Sequence, residues 1–396
     1  MDAYALDWLT MLLRWLHLIA GAAWIGASFY FVHLDNALRP PDSAEDIKRG
    51  VHGDYWAVHG GGFYRSQKYL TGPIGEPLTQ DLHWSKWEAY TTWLSGIGLM
   101  AVIYWFGAAT YLIDANILAL APVAAIGISM AVIAGGWLIY DGFCRLFTGQ
   151  ENILAAIIFA FVMCADWSLF QVFGARAAFM HVGAMMGTIM VANVFFHIIP
   201  GQQKMVAAIR AGQPVNPAPG VIGKQRSVHN TYFTLPVLFI MVGSHFPLLF
   251  SHKFSWLALG AIMLAGVLIR QFFVKRIKGV IALPLLAVAV LLLLGVGILL
   301  APKPAVATSS DTTFANVRTV IEQRCTKCHA AQPAFAGISQ APKGVMLDTP
   351  AQIATYAAKV AETTANRYMP IGNLTGMTDD ERAIIAEWYA LGAKTR

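Results

Sequence analysis

One feature constrains this chain more than any other: between residues 1 and 300, apolar runs of about 20 residues recur. A helix of that length crosses the hydrocarbon core of a bilayer. The chain is 57% hydrophobic and 13% charged, against roughly 25% charged for an ordinary soluble domain. A water-soluble bundle of this length would need 300 residues of core with almost no polar face. The pattern predicts an all-α, polytopic membrane bundle with eight spans, at about 9–35, 87–107, 117–140, 152–170, 177–199, 231–250, 254–274 and 280–300. Asp166 and Gln171 interrupt the end of the fourth. No internal sequence repeat suggests paired transporter halves.

Loop charge sets an expected orientation, because lysine and arginine concentrate on the cytoplasmic side. With the N-terminus outside, the inner loops carry Arg39, Lys48, Arg49, Arg65, Lys68, Lys86, Arg145, Lys204, Arg210, Lys224, Arg226, Arg270, Lys275, Arg276 and Lys278. The outer loops carry Arg176 and Lys253. The formal charge of +6 is thereby absorbed by membrane orientation and gives no reason to expect nucleic-acid binding. Asp2 and Asp7 precede the first base, Arg14, so the N-terminus does not read as a signal peptide.

Residues 301–396 have the composition of an ordinary soluble domain. The Pro, Ala and Ser of residues 301–310 predict an extended tether, leaving 311–396 as a separate unit. That unit contains Cys325-Thr-Lys-Cys328-His329. In C-x-x-C-H the two thiols add across haem vinyl groups and the histidine becomes an axial iron ligand. A zinc site would need a second ligand pair, and no Cys or His follows residue 329. A thioredoxin-like site would need a βαβ setting. Val317, Val320 and Ile321 read as a helix leading into the motif, and Thr378-Asp-Asp-Glu381 as a capping box opening a last helix through Trp388. The sixth iron ligand comes from Met346, Met369 or Met377. Met369, in Arg-Tyr-Met-Pro, resembles the methionine loop of small class I cytochromes c. A His/Met pair raises the reduction potential. Attachment of c-type haem occurs outside the cytoplasm, which places this unit on the periplasmic side, in agreement with the loop charges. Cys144 and Cys164 read as small apolar filler.

Ionisable groups in a membrane each need a reason. The first span holds His17 and His33, and the fifth His181 and His197. Each pair is separated by about 24 Å of helix, and both spans run the same way. The sixth span, running back, has His229 at its inner mouth and His245 near its outer end. Two layers follow: His17, His181 and His245 outward, and His33, His197 and His229 inward. The outer layer could clamp a non-covalent b-type haem, or each histidine could simply bond a neighbour. Arg14 shares a helix face with His17 and could meet a haem propionate or reach toward the headgroups. The inner layer could hold a second haem or frame a substrate. There Lys224, Arg226, His229 and Asn230 suit a small planar anion, although positive-inside anchoring also explains the two bases.

Residues 36–86 form the one long inner loop. Its centre reads Val58-His59-Gly60-Gly61-Gly62-Phe63-Tyr64-Arg65-Ser66-Gln67-Lys68-Tyr69, followed by His83-Trp84-Ser85-Lys86-Trp87-Glu88. The glycines permit close backbone approach to a ligand, and the polar and aromatic density exceeds what a connector needs.

The segments around His17–Asp35, Val58–Ser95, His181–Pro200 and His229–Pro247 resemble the bacterial membrane-bound cytochrome c urate oxidases, in which a membrane domain precedes a cytochrome c. The first span, with His17, Trp24 and Gly26, also resembles haem-binding membrane proteins of the copper-resistance and protoporphyrinogen-oxidase type. The first resemblance implies oxidation of urate to 5-hydroxyisourate. Electrons would leave through one covalent haem c, helped by one or two b-type haems, to a downstream cytochrome c or terminal oxidase at the inner membrane. Arg65, Lys68 or Arg226, with His229 and Asn230, would hold urate, and His59, His83 or Glu88 would take its proton. Two other functions compete: a non-catalytic electron relay between quinol and an oxidase, and protoporphyrinogen oxidation. A relay has no need of the loop constellation.

Overall fold

A computed structural model describes residues 3–250, 252–301, 312–335, 338 and 340–395. The expected tether at 301–310 falls almost wholly outside the described residues. In chain order the elements are α1 (Ala3–Ala37), α2 (Ala44–Lys48), β1 (Gly53–His59), β2 (Gly62–Lys68), α3 (Trp87–Leu99), α4 (Pro122–Leu146), α5 (Glu151–Phe170) and α6 (Ala175–Ala192). There follow α7 (Ile199–Arg210), α8 (Ala218–Gly243), α9 (Ser255–Ile277), α10 (Leu283–Leu299), α11 (Phe314–Arg324), α12 (Pro350–Thr355), α13 (Ala357–Ala365) and α14 (Asp379–Ala390). Wider π-helical turns extend α3 and join α6 to α7 through Asn193–Ile198.

A helix lies in each of the eight expected intervals. Among the described residues, five are long and apolar enough to cross a membrane: Tyr4–Ala37, Pro122–Leu146, Glu151–Phe170, Ala175–Arg210 and Ser255–Ile277. The other three fall short for visible reasons. After Leu99, α3 passes into π-helical turns, the first half of α8 carries Lys224, Arg226, His229 and Asn230, and α10 has 17 residues.

The bundle is organised around α6, whose residues from Ala177 to Ala192 are mostly buried. Small residues let its neighbours come close. A Cβ on Gly136 of α4 would stand 2.4 Å from Met185 Cγ, and one on Gly183 would stand 2.6 Å from Ile240 Cγ2 of α8. Helix association inside a bilayer depends on such close packing, because lipid tails are as apolar as the side chains. The outer faces expose Leu12, Leu18, Leu138, Leu291 and Ile298, as a lipid-facing surface would.

The all-α expectation needs one correction. β1 and β2 pair antiparallel with His59 opposite Gly62. Gly60 and Gly61 both have positive φ, 59° and 82°, which is the backbone of a two-residue I′ hairpin turn. Gly60-Gly61 is therefore a turn signal. The hairpin is tied to α1 by the ion pair of Lys68 with Asp35, and to α2 through Asp46. Arg65 binds Asp46 at 2.6 Å and also Asp54, and Asp46 accepts from Gln67 at 3.0 Å. These bonds hold the Asp46 carboxyl below its ordinary range.

The hairpin lies at the end of the bundle reached by the C-terminus of α1 and is called the hairpin end below. Residues 312–395 form a helical unit with its own core of Val317, Ile321, Leu347, Ile353, Ile385 and Trp388. Thr378 accepts from Glu381 N at 3.2 Å, and Glu381 accepts from Thr378 N at 2.7 Å, so the expected capping box is present. This unit sits at the opposite end of the bundle. A cavity of about 1750 Å³ between the two is lined by Tyr104, Arg176, His252, Tyr368, Ile371 and Arg382, among others.

Candidate functional site

A connected polar cluster lies at the hairpin end, where α4, α6 and α8 meet. Its centre is Asp141 on α4. One carboxylate oxygen accepts from Arg226 Nη2 at 2.6 Å and His197 Nε2 at 2.7 Å, and the other accepts from Arg145 Nε at 2.7 Å. Beside it, Tyr140 Oη accepts from Asn193 Nδ2 at 3.0 Å and lies 2.7 Å from His229 Nδ1. Asn193 Nδ2 also reaches Asn230 Oδ1 at 3.0 Å, and Asn230 Nδ2 donates to the Met190 carbonyl at 2.9 Å. The Arg226 guanidinium stands 5.1 Å from the Tyr140 ring centroid.

Two groups here are incompletely satisfied. Arg226 is 2% exposed, and its Nε and Nη1 make no hydrogen bond among the described residues. Asn193 is fully buried, and its Oδ1 also lacks a partner. An unmet polar group in a buried setting is costly, so such groups mark where a ligand would be favoured. Two arginines face one aspartate, leaving the cluster cationic. It can hold a small anion, offer an amide acceptor and present a histidine for proton transfer.

Of the residues expected from sequence, Arg226, His229, Asn230 and His197 fall in this cluster. Tyr140, Asp141 and Asn193 were missed. Each is a single polar residue in or at the end of an apolar run, and that is the signal that could have found them.

The loop residues are arranged differently. The Arg65 guanidinium is engaged by Asp46 and Asp54. Lys68 and Lys224 both bind Asp35 at the end of α1, and burial lowers the Lys68 ammonium below its ordinary range. His59 is exposed at the tip of β1. His83 is exposed 3.9 Å from Glu88, and His33 Nε2 is 3.1 Å from Tyr55 Oη.

In the outward layer, His181 is fully buried with both nitrogens engaged. Nδ1 donates to the Ala177 carbonyl at 2.7 Å, and Nε2 accepts from Ser129 Oγ at 2.6 Å, which itself accepts from Trp105 Nε1. His17 Nδ1 donates to the Thr92 carbonyl at 2.9 Å, with Ser95 Oγ at 3.1 Å. Its Nε2 has no hydrogen bond among the described residues. His245 and Arg14 are exposed, and His245 lies within electrostatic reach of Arg14 and Arg176.

In the C-terminal unit, Cys325 and Cys328 are free thiols. Burial pushes the Cys325 thiol up to about 12 and raises Cys328 as well, the reverse of the lowered value that a dithiol redox pair uses. His329 Nδ1 donates to the Val345 carbonyl at 3.0 Å, which leaves Nε2 for a metal. Arg382 donates to the Met369 and Thr364 carbonyls at 2.7 and 2.6 Å, fixing the loop that carries Met369. Met377 is buried in the unit's core and Met346 is at the surface. These residues fit a covalently held haem: paired thiols, an oriented histidine and a pinned methionine.

Comparison with curated proteins and with solved structures returned no match. A family model described as urate oxidase N-terminal matches residues 3–301, the whole membrane bundle with its hairpin and polar cluster, and the chain belongs to that family.

Proposed function

We propose that this chain oxidises urate to 5-hydroxyisourate at the hairpin end of an eight-span bundle. Electrons pass to a c-type haem held by Cys325, Cys328, His329 and Met369. Arg226 is the observation that carries this reading: a buried cation with two donors and a neighbouring amide oxygen that have no partner among the described residues, in a chain of the urate oxidase N-terminal family. Urate at neutral pH is a planar monoanion with carbonyl oxygens and ring N–H groups along its edges. Arg226 Nε and Nη1 would donate to an anionic edge, and Asn193 Oδ1 would accept a ring N–H. Asn230, held by Asn193 and Met190, would fix the orientation of that amide. Urate and one water give 5-hydroxyisourate, two protons and two electrons, so the site must release protons as well as electrons. His229 is the proton acceptor in this cluster. His59 and His83, on the exposed loop, and Glu88, in the first turn of α3, are better suited to the mouth of the site than to its chemistry.

Loop charge supports a cytoplasmic hairpin end and a periplasmic C-terminal unit. A covalent haem, when bound, accepts electrons one at a time at a raised potential. A carrier within the bundle is required by the distance between its ends. For a b-type haem, His17 and His245 with Arg14 suit the role better than His181, whose nitrogens are both occupied. Asp141 holds His197, which disfavours that residue as an iron ligand.

The test is anaerobic stopped-flow mixing of the full chain with urate. Haem absorbance should change with no oxygen present. If urate reduces no haem in intact protein, the reading fails and a non-catalytic electron relay takes its place.

A further inference from the structure

We infer that Tyr140, His229 and Glu151 form a proton-release relay leading from the buried cluster to the surface at the hairpin end. The inference rests on urate oxidation at that cluster and adds a route for the two protons that the reaction sets free.

The geometry orients each member. Tyr140, fully buried, accepts at its oxygen from Asn193 Nδ2 at 3.0 Å. Its own proton is therefore free to be donated to His229 Nδ1, 2.7 Å away. Accepting at Nδ1 places the neutral imidazole's proton on Nε2. That nitrogen faces Glu151 Oε2 at 3.8 Å. The His229 side chain is 10% exposed and that of Glu151 is 58% exposed, so the three residues descend from closed interior to solvent. Glu151 is the first residue of α5, where the helix dipole favours a carboxylate. Its other oxygen accepts from Gln225 Nε2 at 2.7 Å, which steadies it while a rotamer change closes the remaining gap.

The charged and titratable groups around His229 are consistent with this direction of flow. Arg226 on its own helix and Asp141 and Arg145 on α4 form the ion cluster beside it. Cys144 Sγ lies 3.9 Å from Nδ1. Arg226 over the Tyr140 ring favours transient negative charge on the phenol oxygen. In the transfer, the Tyr140 oxygen takes a proton from urate or the adding water as its own proton moves to His229 Nδ1. The Nε2 proton then passes to Glu151 and on to solvent. The imidazole is left with its proton on Nδ1, and a ring flip restores the Nε2–H form before the second proton follows, while the electrons leave separately to the haem acceptor.

The experiment uses the full chain in lipid nanodiscs, comparing wild type with Glu151→Gln and Tyr140→Phe under anaerobic urate mixing. Haem reduction is followed together with a pH-indicator dye. Glu151→Gln, at the surface, should keep its covalent haem and its urate concentration dependence, yet slow haem reduction and proton release roughly 10-fold or more. Added imidazole buffer should restore part of that rate. Tyr140→Phe should slow both without rescue. Wild-type rate, pH profile and solvent isotope effect in both variants would overturn the relay. Urate that reduces no haem in the wild type would instead remove the reaction itself, and the relay with it.

Discussion

His17 and His329 hold the same posture in two separate parts of the chain. Each donates Nδ1–H to a backbone carbonyl, Thr92 at 2.9 Å and Val345 at 3.0 Å, and neither Nε2 makes a hydrogen bond among the described residues. A carbonyl behind the ring is the usual support for a metal-ligating histidine. Acid-acetone extraction should therefore release a b-type haem from the purified chain and leave the covalent haem attached. His17→Ala and His245→Ala should lose the extractable haem, whereas His181→Ala should retain it. Active protein that yields no extractable haem would end this assignment.

Covalent attachment depends on the two thiols. The double variant Cys325→Ala/Cys328→Ala should show no haem stain on a denaturing gel. Met369→Leu should keep the stain but lower the midpoint potential, because a soft axial thioether raises it. Staining that survives the double variant would refute a c-type haem.

Arg226 should govern urate rather than haem. A hydrogen bond to a charged group contributes about 1.5–3 kcal/mol, so Arg226→Gln should cost roughly 10- to 100-fold in kcat/KM. Haem content should be unchanged. Arg226→Lys should recover little, since one ammonium cannot reproduce a planar fork that binds Asp141 with one arm and substrate with the others. Steady-state reduction of an external acceptor measures this directly.

The hairpin should resist mild acid. Arg65, and then Gln67, hold the Asp46 carboxyl below its ordinary range. A depressed folded value means the stabilisation is fully present above the ordinary carboxylate range and is lost as pH falls through the lower folded value. Hydrogen exchange across residues 53–68 should therefore stay slow at pH 5 and speed up only under stronger acid. Asp46→Asn should make exchange faster at neutral pH and insensitive to that acid step.

Parts of this molecule were legible from sequence because the bilayer imposes a length. The apolar runs map onto helices, and Thr378 and Glu381 cap α14 because three residues is the spacing at which each side chain reaches the other's backbone N–H. The hairpin was not foreseen. Gly60 and Gly61 were read as room for a ligand, although two adjacent glycines between alternating residues also satisfy the two positive φ angles of a tight turn. Arg65 and Lys68 drew attention as free cations, and sequence could not show that Asp46, Asp54 and Asp35 fold back onto them. Arg226, His229 and Asn230, close together on α8, lie at the hairpin end of the bundle. Sequence could not reveal Tyr140, Asp141 and Asn193, whose significance comes from which helix faces which.

The widened turn at Asn193–Ile198 has a bearing on how this site tolerates change. A π-helical turn takes in more residues than an α-turn, and each residue in a helix accounts for about 100° of rotation. His197 meets Asp141 because of that local winding, not merely because a histidine occupies the position. A chain with the same side chains but one residue fewer in this stretch could wind as plain α-helix from Ala175 to Arg210. Because the widened turn absorbs one extra residue, the helix beyond the deletion would keep its present face, while the residues inside Asn193–Ile198 would be rewound around the contact between His197 and Asp141. Substitution scanning would miss this dependence, because it lies in the count of residues and not in their identity.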